Sequence, residues 1–184
     1  MGKRMRWLVL AAGIIIAAVG VIMAVDRSPL LQEGDEAPDF TARLTTGEEI
    51  TLRQFRGTKS VVLSFYPADF TAGCTQQACS YRDNYGEIER LGAVLLGVST
   101  DGMGRHLEFA QAYSLPYPLI SDPDRSIIRR YGAERFGGRF LGTRRVTYVI
   151  DREGIVRLVA HHELLIGRHV TEILETLRAI GGTP

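Results

Sequence analysis

The sequence predicts an α/β fold, in which a mixed central sheet carries helices on both faces and one membrane-spanning helix precedes the domain. Two observations lead to this fold class. Short apolar runs typical of buried strands alternate with helix-like segments in the order β-α-β-α-β-α-β-β-α, and the last two strands form a hairpin. Residues 1–25 instead combine a basic start with a long apolar run.

The length and composition of the chain fit a single globular domain. The chain has 184 residues, of which 45% are hydrophobic and 23% are charged, and this length is enough to bury a core. The net charge is +1, so there is no electrostatic case for binding nucleic acid. We expect the domain at residues 33–184, after a linker at residues 26–32.

The N-terminal segment, residues 1–25, differs from the rest of the chain. An apolar run from Trp7 to Val25 is about as long as a helix that crosses a bilayer. Three basic residues precede it and predict a cytoplasmic N-terminus: Lys3, Arg4 and Arg6. An uncleaved anchor fits the run best; the alternatives are a signal peptide cut near residues 18–20 and, least favoured, a buried core helix. Anchor and signal peptide both place the domain outside the cytoplasm.

The first half of the domain is predicted to contain a hairpin, two buried strands and one long helix. Gly92 lies just beyond the long helix and is a common kind of helix stop. The predicted elements are hairpin strands at residues 40–44 and 48–52, a helical turn at 52–55, a strand at 60–66, a helix from about 73 to 90 and a strand at 93–99.

The second half is predicted to combine three helices with further strands. Pro116 and Pro118 exclude a helix interior, so their segment is extended. Asp122 and Asp124 are typical of a helix start. The predicted elements are a helix at residues 105–113, an extended segment at 115–120, a helix from 122 to 131, a glycine-rich connection at 137–143, hairpin strands at 145–150 and 155–159, and a final helix from His169 or Thr171 to Ile180.

The two cysteines, Cys74 and Cys79, stand at the start of the predicted long helix. A helix N-terminus carries partial positive charge and free N–H groups, which favour a thiolate over a thiol. Two cysteines in an exported domain would by default form a structural disulfide. However, residues five apart in a regular helix are separated by about 7.5 Å of rise, whereas a disulfide needs Cα atoms within roughly 7 Å. The helix must unwind before the pair can bond, which favours a redox pair.

Pro67, Thr71 and Cys74 form the pattern Pro-x-x-x-Thr-x-x-Cys, in which each residue type has a chemical use. Proline ends the strand and can shield a thiol from water and larger reagents. A threonine hydroxyl can donate and accept hydrogen bonds near the sulfur. The thiolate is the strongly nucleophilic form of cysteine and needs a fixed cation, for which Arg145 or Arg144 is the candidate.

The segment around the cysteines resembles the active site of peroxiredoxins. The hexapeptide CTQQAC at residues 74–79, followed by Tyr81 and Arg82, is similar to the bacterioferritin-comigratory (Q-type) subgroup. The resemblance covers roughly residues 31–180. Further matching blocks occur in the family's order: GDEAPDF (34–40), FYPADFT (65–71), LGAVLLGVS (91–99), SDPD (121–124), YG (131–132) and RVTYVID (145–151).

This resemblance implies a thioredoxin-like fold and a thiol peroxidase that needs no cofactor, whether metal, haem or nucleotide. The implied cycle oxidises a cysteine to a sulfenic acid, forms an intramolecular disulfide, and restores both thiols with an external dithiol, typically a thioredoxin-like protein. We expect a monomer. The residues that match the family's site are Cys74 (peroxidatic), Cys79 (resolving), Thr71 and Pro67 (peroxide positioning) and Arg145 (the active-site arginine).

Three further points concern the match to the family. Gln77 stands where a glutamate is usual, so the resemblance implies no particular polar contact there. Arg82 is implied to help hold Arg145 or the active-site loop. The membrane segment at residues 7–25 is not part of the usual soluble pattern, which argues against the usual cytoplasmic thioredoxin as reductant.

Two other functions compete with a thiol peroxidase. A membrane-anchored thiol-disulfide oxidoreductase of the thioredoxin class would carry Cys-x-x-Cys at the helix start, but the third residue after Cys74 is Gln77. An exported binding module with one structural disulfide would show no thiol turnover. A metal site at His161-His162-Glu163 is disfavoured, because adjacent histidines on a strand point to opposite faces and do not chelate together.

Overall fold

A five-stranded mixed sheet forms the centre of the fold. The computed structural model describes residues 29–135, 142–162 and 166–181. The strands in these ranges are β1 (Thr41–Arg43), β2 (Glu49–Thr51), β3 (Ser60–Phe65), β4 (Ala93–Ser99), β5 (Leu119–Ser121), β6 (Val146–Ile150) and β7 (Val156–Ala160). The helices are a 3-10 helix (Leu52–Phe55), α1 (Ala72–Arg90), α2 (Met103–Ala112), α3 (Ser126–Arg130) and α4 (Ile166–Gly181).

The main sheet has the strand order β5-β4-β3-β6-β7. β3 and β5 both run parallel to β4, whereas β6 runs antiparallel to its two neighbours. β1 and β2 form a separate antiparallel hairpin. β3 lies in the middle of the sheet and all six of its residues are buried, which explains its nearly continuous apolar sequence. Its carboxyl end leads directly into the cysteine segment.

Different layers cover the two faces of the sheet. α1, α2 and α4 cover one face, through an apolar cluster that includes Ile88, Phe109 and Ile173. The β1–β2 hairpin and α3 cover the other face, through a cluster that includes Ile50 and Ile127. The predicted mixed sheet with helices on both faces is therefore confirmed.

The differences from the prediction concern the ends of elements. β1 and β2 each have three residues and are shorter than predicted. α2 begins at Met103 rather than at Arg105, because Gly102 acts as its N-cap with an extended backbone, φ −72° and ψ 156°. α4 begins at Ile166, ahead of the predicted start at His169 or Thr171.

The aspartates before α3 lie at the helix start, as predicted, although α3 itself begins only at Ser126. The Asp122 carboxylate accepts hydrogen bonds from the N–H groups of Ile127 and Ile128 at 3.1 and 2.8 Å. Asp124 accepts one from the N–H of Ser126 at 3.2 Å. Both carboxylates thus satisfy backbone donors of the first turn, as capping side chains do.

Several predicted segments lie outside the described residues. They include the membrane segment at residues 7–25, most of the glycine-rich connection at 137–143, and Glu163. Within the described ranges, no helix combines the length and apolar character that a membrane crossing requires. Leu30 and Leu31, in the predicted linker, pack against the core.

Candidate active site

The segment that carries Cys74 leaves the carboxyl end of β3 and enters α1. Residues 66–71 connect the two elements and are called the β3–α1 loop below. Cys74 is the third residue of α1, and 2% of its surface is exposed. The first turn of a helix has backbone N–H groups without intrahelical partners, and these favour a negative charge on the sulfur.

A buried arginine contacts the sulfur of Cys74. Arg145 directly precedes β6 and is 5% exposed, and its Nη2 lies 3.5 Å from Sγ. The pairing of β6 with β3 brings these two residues together. Within the described ranges no carboxylate bonds to Arg145, because Nη1 donates to Gln77 and Nε has no partner. Since a buried guanidinium needs a negative partner, the geometry favours Cys74 as the thiolate.

A chain of buried side chains holds Arg145 in position. Gln77 accepts from Arg145 through Oε1 at 2.5 Å and donates through Nε2 to the Tyr81 hydroxyl at 2.9 Å. That hydroxyl accepts from Ser64 at 3.2 Å and lies 2.8 Å from Oγ1 of Thr147. Burial raises the pKa of Tyr81, so its hydroxyl keeps the proton that it donates to Thr147.

Gln77 shows what the departure from the family's usual glutamate changes. A polar contact to Arg145 is present, through the amide oxygen. A carboxylate at this position would neutralise the guanidinium and compete with the sulfur for its charge. The amide cannot ionise, and the positive charge of Arg145 therefore remains available to Cys74.

The β3–α1 loop contains Pro67, which is half-buried, and Thr71, which is exposed. The carbonyl of Thr71 accepts the first hydrogen bond of α1, from the N–H of Thr75 at 2.8 Å. Its hydroxyl makes no cap to the helix and donates to the carbonyl of Ala68 at 3.1 Å. The oxygen of this hydroxyl keeps lone pairs that can accept a hydrogen bond from a bound substrate.

A narrow cavity of about 10 Å³ lies beside Cys74, which is space for roughly one water molecule. Low-dielectric surroundings strengthen the interaction between a guanidinium and a thiolate. Pro67, Thr71 and Arg145 are not among the residues that line this cavity, so it is separate from the place where they would position a peroxide. The walls of the cavity are mainly aromatic and aliphatic and include Tyr66, Tyr81, Phe109, Tyr117 and Leu119.

Similarity to known proteins covers most of the chain. The model of the AhpC/TSA family matches residues 33–159. A protein of Coxiella burnetii described as peroxiredoxin bcp is 38% identical over 151 residues, which are 80% of this chain and 99% of that protein. The chain is a peroxiredoxin of the AhpC/TSA family.

Solved structures of Q/BCP-type proteins share the architecture of this peroxiredoxin. Peroxidoxin BcpB of Mycobacterium tuberculosis is 35% identical and superimposes with a TM-score of 0.76 over 82% of this chain and 98% of that chain. The bacterioferritin comigratory protein of Xanthomonas campestris, studied for its alkyl peroxide reduction, is 28% identical with a TM-score of 0.72 over 85% and 99% of the chains. The fold is thioredoxin-like, and the protein is a thiol peroxidase of the Q/BCP type.

The sequence predicts a role at the site for three arginines, and the structure shows what each of them contacts. In this peroxiredoxin the guanidinium of Arg145 contacts the sulfur. Arg144 is half-buried, and its backbone N–H donates to the carbonyl of Ala133 at 2.7 Å. Arg82 holds neither Arg145 nor the β3–α1 loop, so that prediction is wrong. It donates to Asp83 at 2.8 Å and to the carbonyl of Tyr113 at 3.0 Å, and thereby ties α1 to the end of α2.

Cys79 lies further along the same continuous helix and is half-buried. Both cysteines of the peroxiredoxin are free thiols. Their helical spacing corresponds to about 7.5 Å of rise, which is too far for a bond without unwinding. The residue at the third position after Cys74, where a thioredoxin-class oxidoreductase would have its second cysteine, is Gln77, and it is bonded to Arg145.

The histidine motif at residues 161–162 follows the end of β7 rather than lying within a strand. His162 Nε2 lies 2.9 Å from a carboxylate oxygen of Glu172 on α4. In the part of the chain that the structure describes, no three potential ligands of a metal ion come together. His162 thus connects the end of β7 to α4.

Sequence reasoning missed the side chains that hold Arg145 through Gln77. Two signals could have found them. Ser64 is a polar residue inside an otherwise apolar buried strand, and buried polar groups need partners. Tyr81 lies four residues after Gln77, so both occupy the same face of α1.

Proposed function

We propose that Cys74 is the peroxidatic cysteine and Cys79 the resolving cysteine of a monomeric peroxiredoxin. The observation that carries the assignment is the 3.5 Å contact between Nη2 of Arg145 and Sγ of Cys74 in a nearly closed site. The substrates are hydrogen peroxide and alkyl hydroperoxides. The alkyl peroxide reduction described for the similar X. campestris protein supports the second class.

In the first step, the Cys74 thiolate attacks one peroxide oxygen and the O–O bond breaks. The sulfur becomes a sulfenic acid, and the other oxygen leaves as hydroxide or alkoxide and takes up a proton. Negative charge moves from sulfur to the leaving oxygen. Arg145 stabilises this charge through the NH₂ group that faces the sulfur. Its other NH₂ group donates to Gln77, so the guanidinium is already in position before the reaction begins. Thr71 and Pro67, in the loop before the cysteine, position the peroxide.

In the second step, the Cys79 thiolate attacks the sulfur of the Cys74 sulfenic acid. An S–S bond forms, and the hydroxyl group leaves as hydroxide and is protonated to water. The first turns of α1 must unwind, because the two residues are too far apart in the helix. In the third step, a dithiol exchanges with this disulfide, so that both cysteines return to thiols and the reductant becomes the disulfide.

The reductant and the location follow from the N-terminal run. The apolar length of residues 7–25 supports a single membrane anchor with the peroxidase domain outside the cytoplasm. The reductant is then a thioredoxin-like protein of that compartment. Fractionation of cells that express the full chain, with N-terminal sequencing of the mature protein, tests this proposal. A soluble protein that begins beyond residue 25 would contradict an anchor.

A stopped-flow peroxide assay tests the assignment of the cysteines. Cys74→Ser abolishes peroxide consumption, because the attacking sulfur is gone. Cys79→Ser is the matched control, since it also removes one thiol but leaves the first oxidation intact. Peroxide consumption by the folded Cys74→Ser protein at the wild-type rate would falsify the assignment.

A further inference from the structure

A fully buried pair of one carboxyl and one imidazole side chain lies behind the β3–α1 loop and takes no part in the three steps above. Asp69 belongs to the loop and His106 to α2, and both side chains are 0% exposed. Nδ1 of His106 lies 2.7 Å from Oδ2 of Asp69. Burying polar side chains has a desolvation cost that their mutual hydrogen bond often only offsets. Stability alone therefore does not explain the pair.

The hydrogen bonds of the pair are complete. Nε2 of His106 lies 3.1 Å from the carbonyl oxygen of Ile120, which can only accept, so Nε2 carries a hydrogen. Nδ1 faces the carboxylate. The second carboxylate oxygen, Oδ1, accepts from the Tyr66 hydroxyl at 2.7 Å. Burial and the nearby Asp69 carboxylate hold the pKa of Tyr66 well above its usual value, so this hydroxyl stays a donor.

The backbone of Asp69 is fixed together with its side chain. Its N–H donates to Oδ2 of Asp101 at 2.8 Å, and its carbonyl accepts from Nη2 of Arg105 at 3.1 Å. Arg105 also lies over the ring of Phe70, 5.1 Å from the ring centre. Phe70 has a backbone φ of 62°, a value that residues other than glycine rarely adopt. The loop keeps this shape only because contacts from outside hold it.

The fixed residue stands between the two peroxide-positioning residues. Pro67 lies two residues before Asp69, and Thr71 lies two residues after it. The hydroxyl of Thr71 bonds within the loop, to the carbonyl of Ala68. A shift of the loop would therefore move Thr71 relative to Cys74. Displacing a positioning group by about 1 Å can lower a rate on the order of 100-fold.

We propose that His106 is a positioning residue for peroxide reduction: by holding Asp69, it fixes the β3–α1 loop, and with it Pro67 and Thr71, against Cys74. The inference rests on the assignment of Cys74 as the peroxidatic cysteine. His106 acts through geometry rather than through its charge, since its two ring nitrogens face Asp69 and Ile120 and not the sulfur.

Two substitutions of His106 each keep a different one of its two hydrogen bonds. His106→Asn places an amide nitrogen near the position of Nδ1 and can still donate to Asp69. His106→Gln places it near Nε2, so that it donates to Ile120 and loses Asp69. Glu108→Gln, which removes an exposed charge from the same helix, is the matched control. Comparing Asn with Gln separates holding of the loop from a general effect on α2.

Stopped-flow mixing with hydrogen peroxide and alkylation of Cys74 with iodoacetamide are measured for each folded variant. His106→Gln lowers the peroxide rate constant by about 10- to 100-fold without slowing alkylation, because the sulfur keeps its contact with Arg145. His106→Asn and Glu108→Gln keep both rates near those of the wild type. A wild-type peroxide rate in His106→Gln overturns the proposal, and so does an equal loss in His106→Asn.

Asp69→Asn separates geometry from charge and covers the case in which His106→Gln does not fold. Its amide oxygen accepts from Tyr66, and its amide nitrogen donates to Nδ1 of a neutral His106, so each hydrogen bond has a counterpart. We expect a peroxide rate near that of the wild type. A large loss in the folded variant would make charge the cause and overturn the proposal. Failure of the Cys74 assignment would show separately, as turnover by Cys74→Ser.

Discussion

The β3–α1 loop ends just before Cys74 and the first two turns of α1 contain it, but the two segments are held in opposite ways. The buried pair of Asp69 and His106, with hydrogen bonds from Asp69 to Asp101 and Arg105, fixes the loop. The first turn of α1 has neither a side-chain cap nor an acidic residue. Such caps and acidic residues contribute about 0.5–2 and 0.3–1 kcal/mol respectively. The helix therefore starts with little local stabilisation.

The difference corresponds to the two halves of the catalytic cycle. Attack on peroxide needs the loop and Arg145 in fixed positions before the reaction begins. Disulfide formation needs residues 74–79 to leave the helix, which is easiest where local stability is low. One cysteine thus has rigid surroundings on its N-terminal side and a weakly held helix on its C-terminal side.

Tyr81 marks where the weakly held part of α1 ends. Its hydroxyl is shared by Gln77, Ser64 and Thr147, and its side chain is 2% exposed. Unwinding that stops before Tyr81 breaks the Gln77 contact to Arg145 but leaves the longer part of the helix packed. We therefore expect the opening to be confined to residues 72–79.

The largest effect, on sustained turnover, is expected when Cys79 in the opening part of α1 is replaced. Cys79→Ser leaves the first reaction with peroxide near the wild-type rate, because the contacts of Cys74 do not involve Cys79. Sustained turnover with a thioredoxin-like reductant nearly ceases, since no intramolecular disulfide forms. Mass spectrometry should find Cys74 increasingly over-oxidised to sulfinic acid. A wild-type disulfide that links two chains, found by the same method, would contradict the resolving role of Cys79.

A smaller loss, in the rate of peroxide reduction, is expected when the cation Arg145 is replaced. Arg145→Ala slows peroxide reduction by about 100-fold, the usual cost of removing one group that stabilises developing charge. Alkylation of Cys74 by iodoacetamide slows as well, because the thiolate loses its partner. This second result distinguishes Arg145 from His106, whose substitution spares alkylation.

Arg144→Ala is the matched control for this measurement. Arg144 is the neighbouring residue and is half-buried, and its backbone hydrogen bond to Ala133 survives the change. We expect near wild-type rates. If Arg144→Ala reduced the rate as much as Arg145→Ala, the fixed cation would not be a single residue and the geometry at Cys74 would need another explanation.

The central strands and Cys74 could be predicted from the sequence, because both leave local signals. A strand covered on both faces, such as β3, has a continuous apolar sequence. Cys74 follows a strand and stands at a helix start, and both of these neighbouring elements can be recognised from the local sequence. The starts of α2 and α4 were predicted too late in the chain. Gly104 and Gly167 lie in the first turns of these helices, and glycine is a poor helix former.

The pairings of Asp69 with His106 and of Gln77 with Arg145 could not be predicted, because each joins residues that are far apart in the chain. Asp69 and His106 are 37 positions apart, and Gln77 and Arg145 are 68 apart. No spacing rule of a helix or strand connects such residues. Taken singly, a buried histidine or glutamine has many explanations, and only the packing of α2 and β6 against the loop and α1 selects one.

The smallest expected effect tests whether the opening stops before Tyr81. Thr75→Ala lies within the opening segment and stabilises the helix by about 0.6 kcal/mol, so disulfide formation should slow roughly threefold.

Gly86→Ala is the control for this prediction. Gly86 lies beyond Tyr81, where a new Cβ meets no atom within 4 Å, and the substitution stabilises the helix by about 0.5–1 kcal/mol. It should raise the melting temperature but leave disulfide formation unchanged. The rate of disulfide formation after one equivalent of peroxide is measured by quenched flow for both variants. Equal slowing of this rate in both variants would show that the whole of α1 opens.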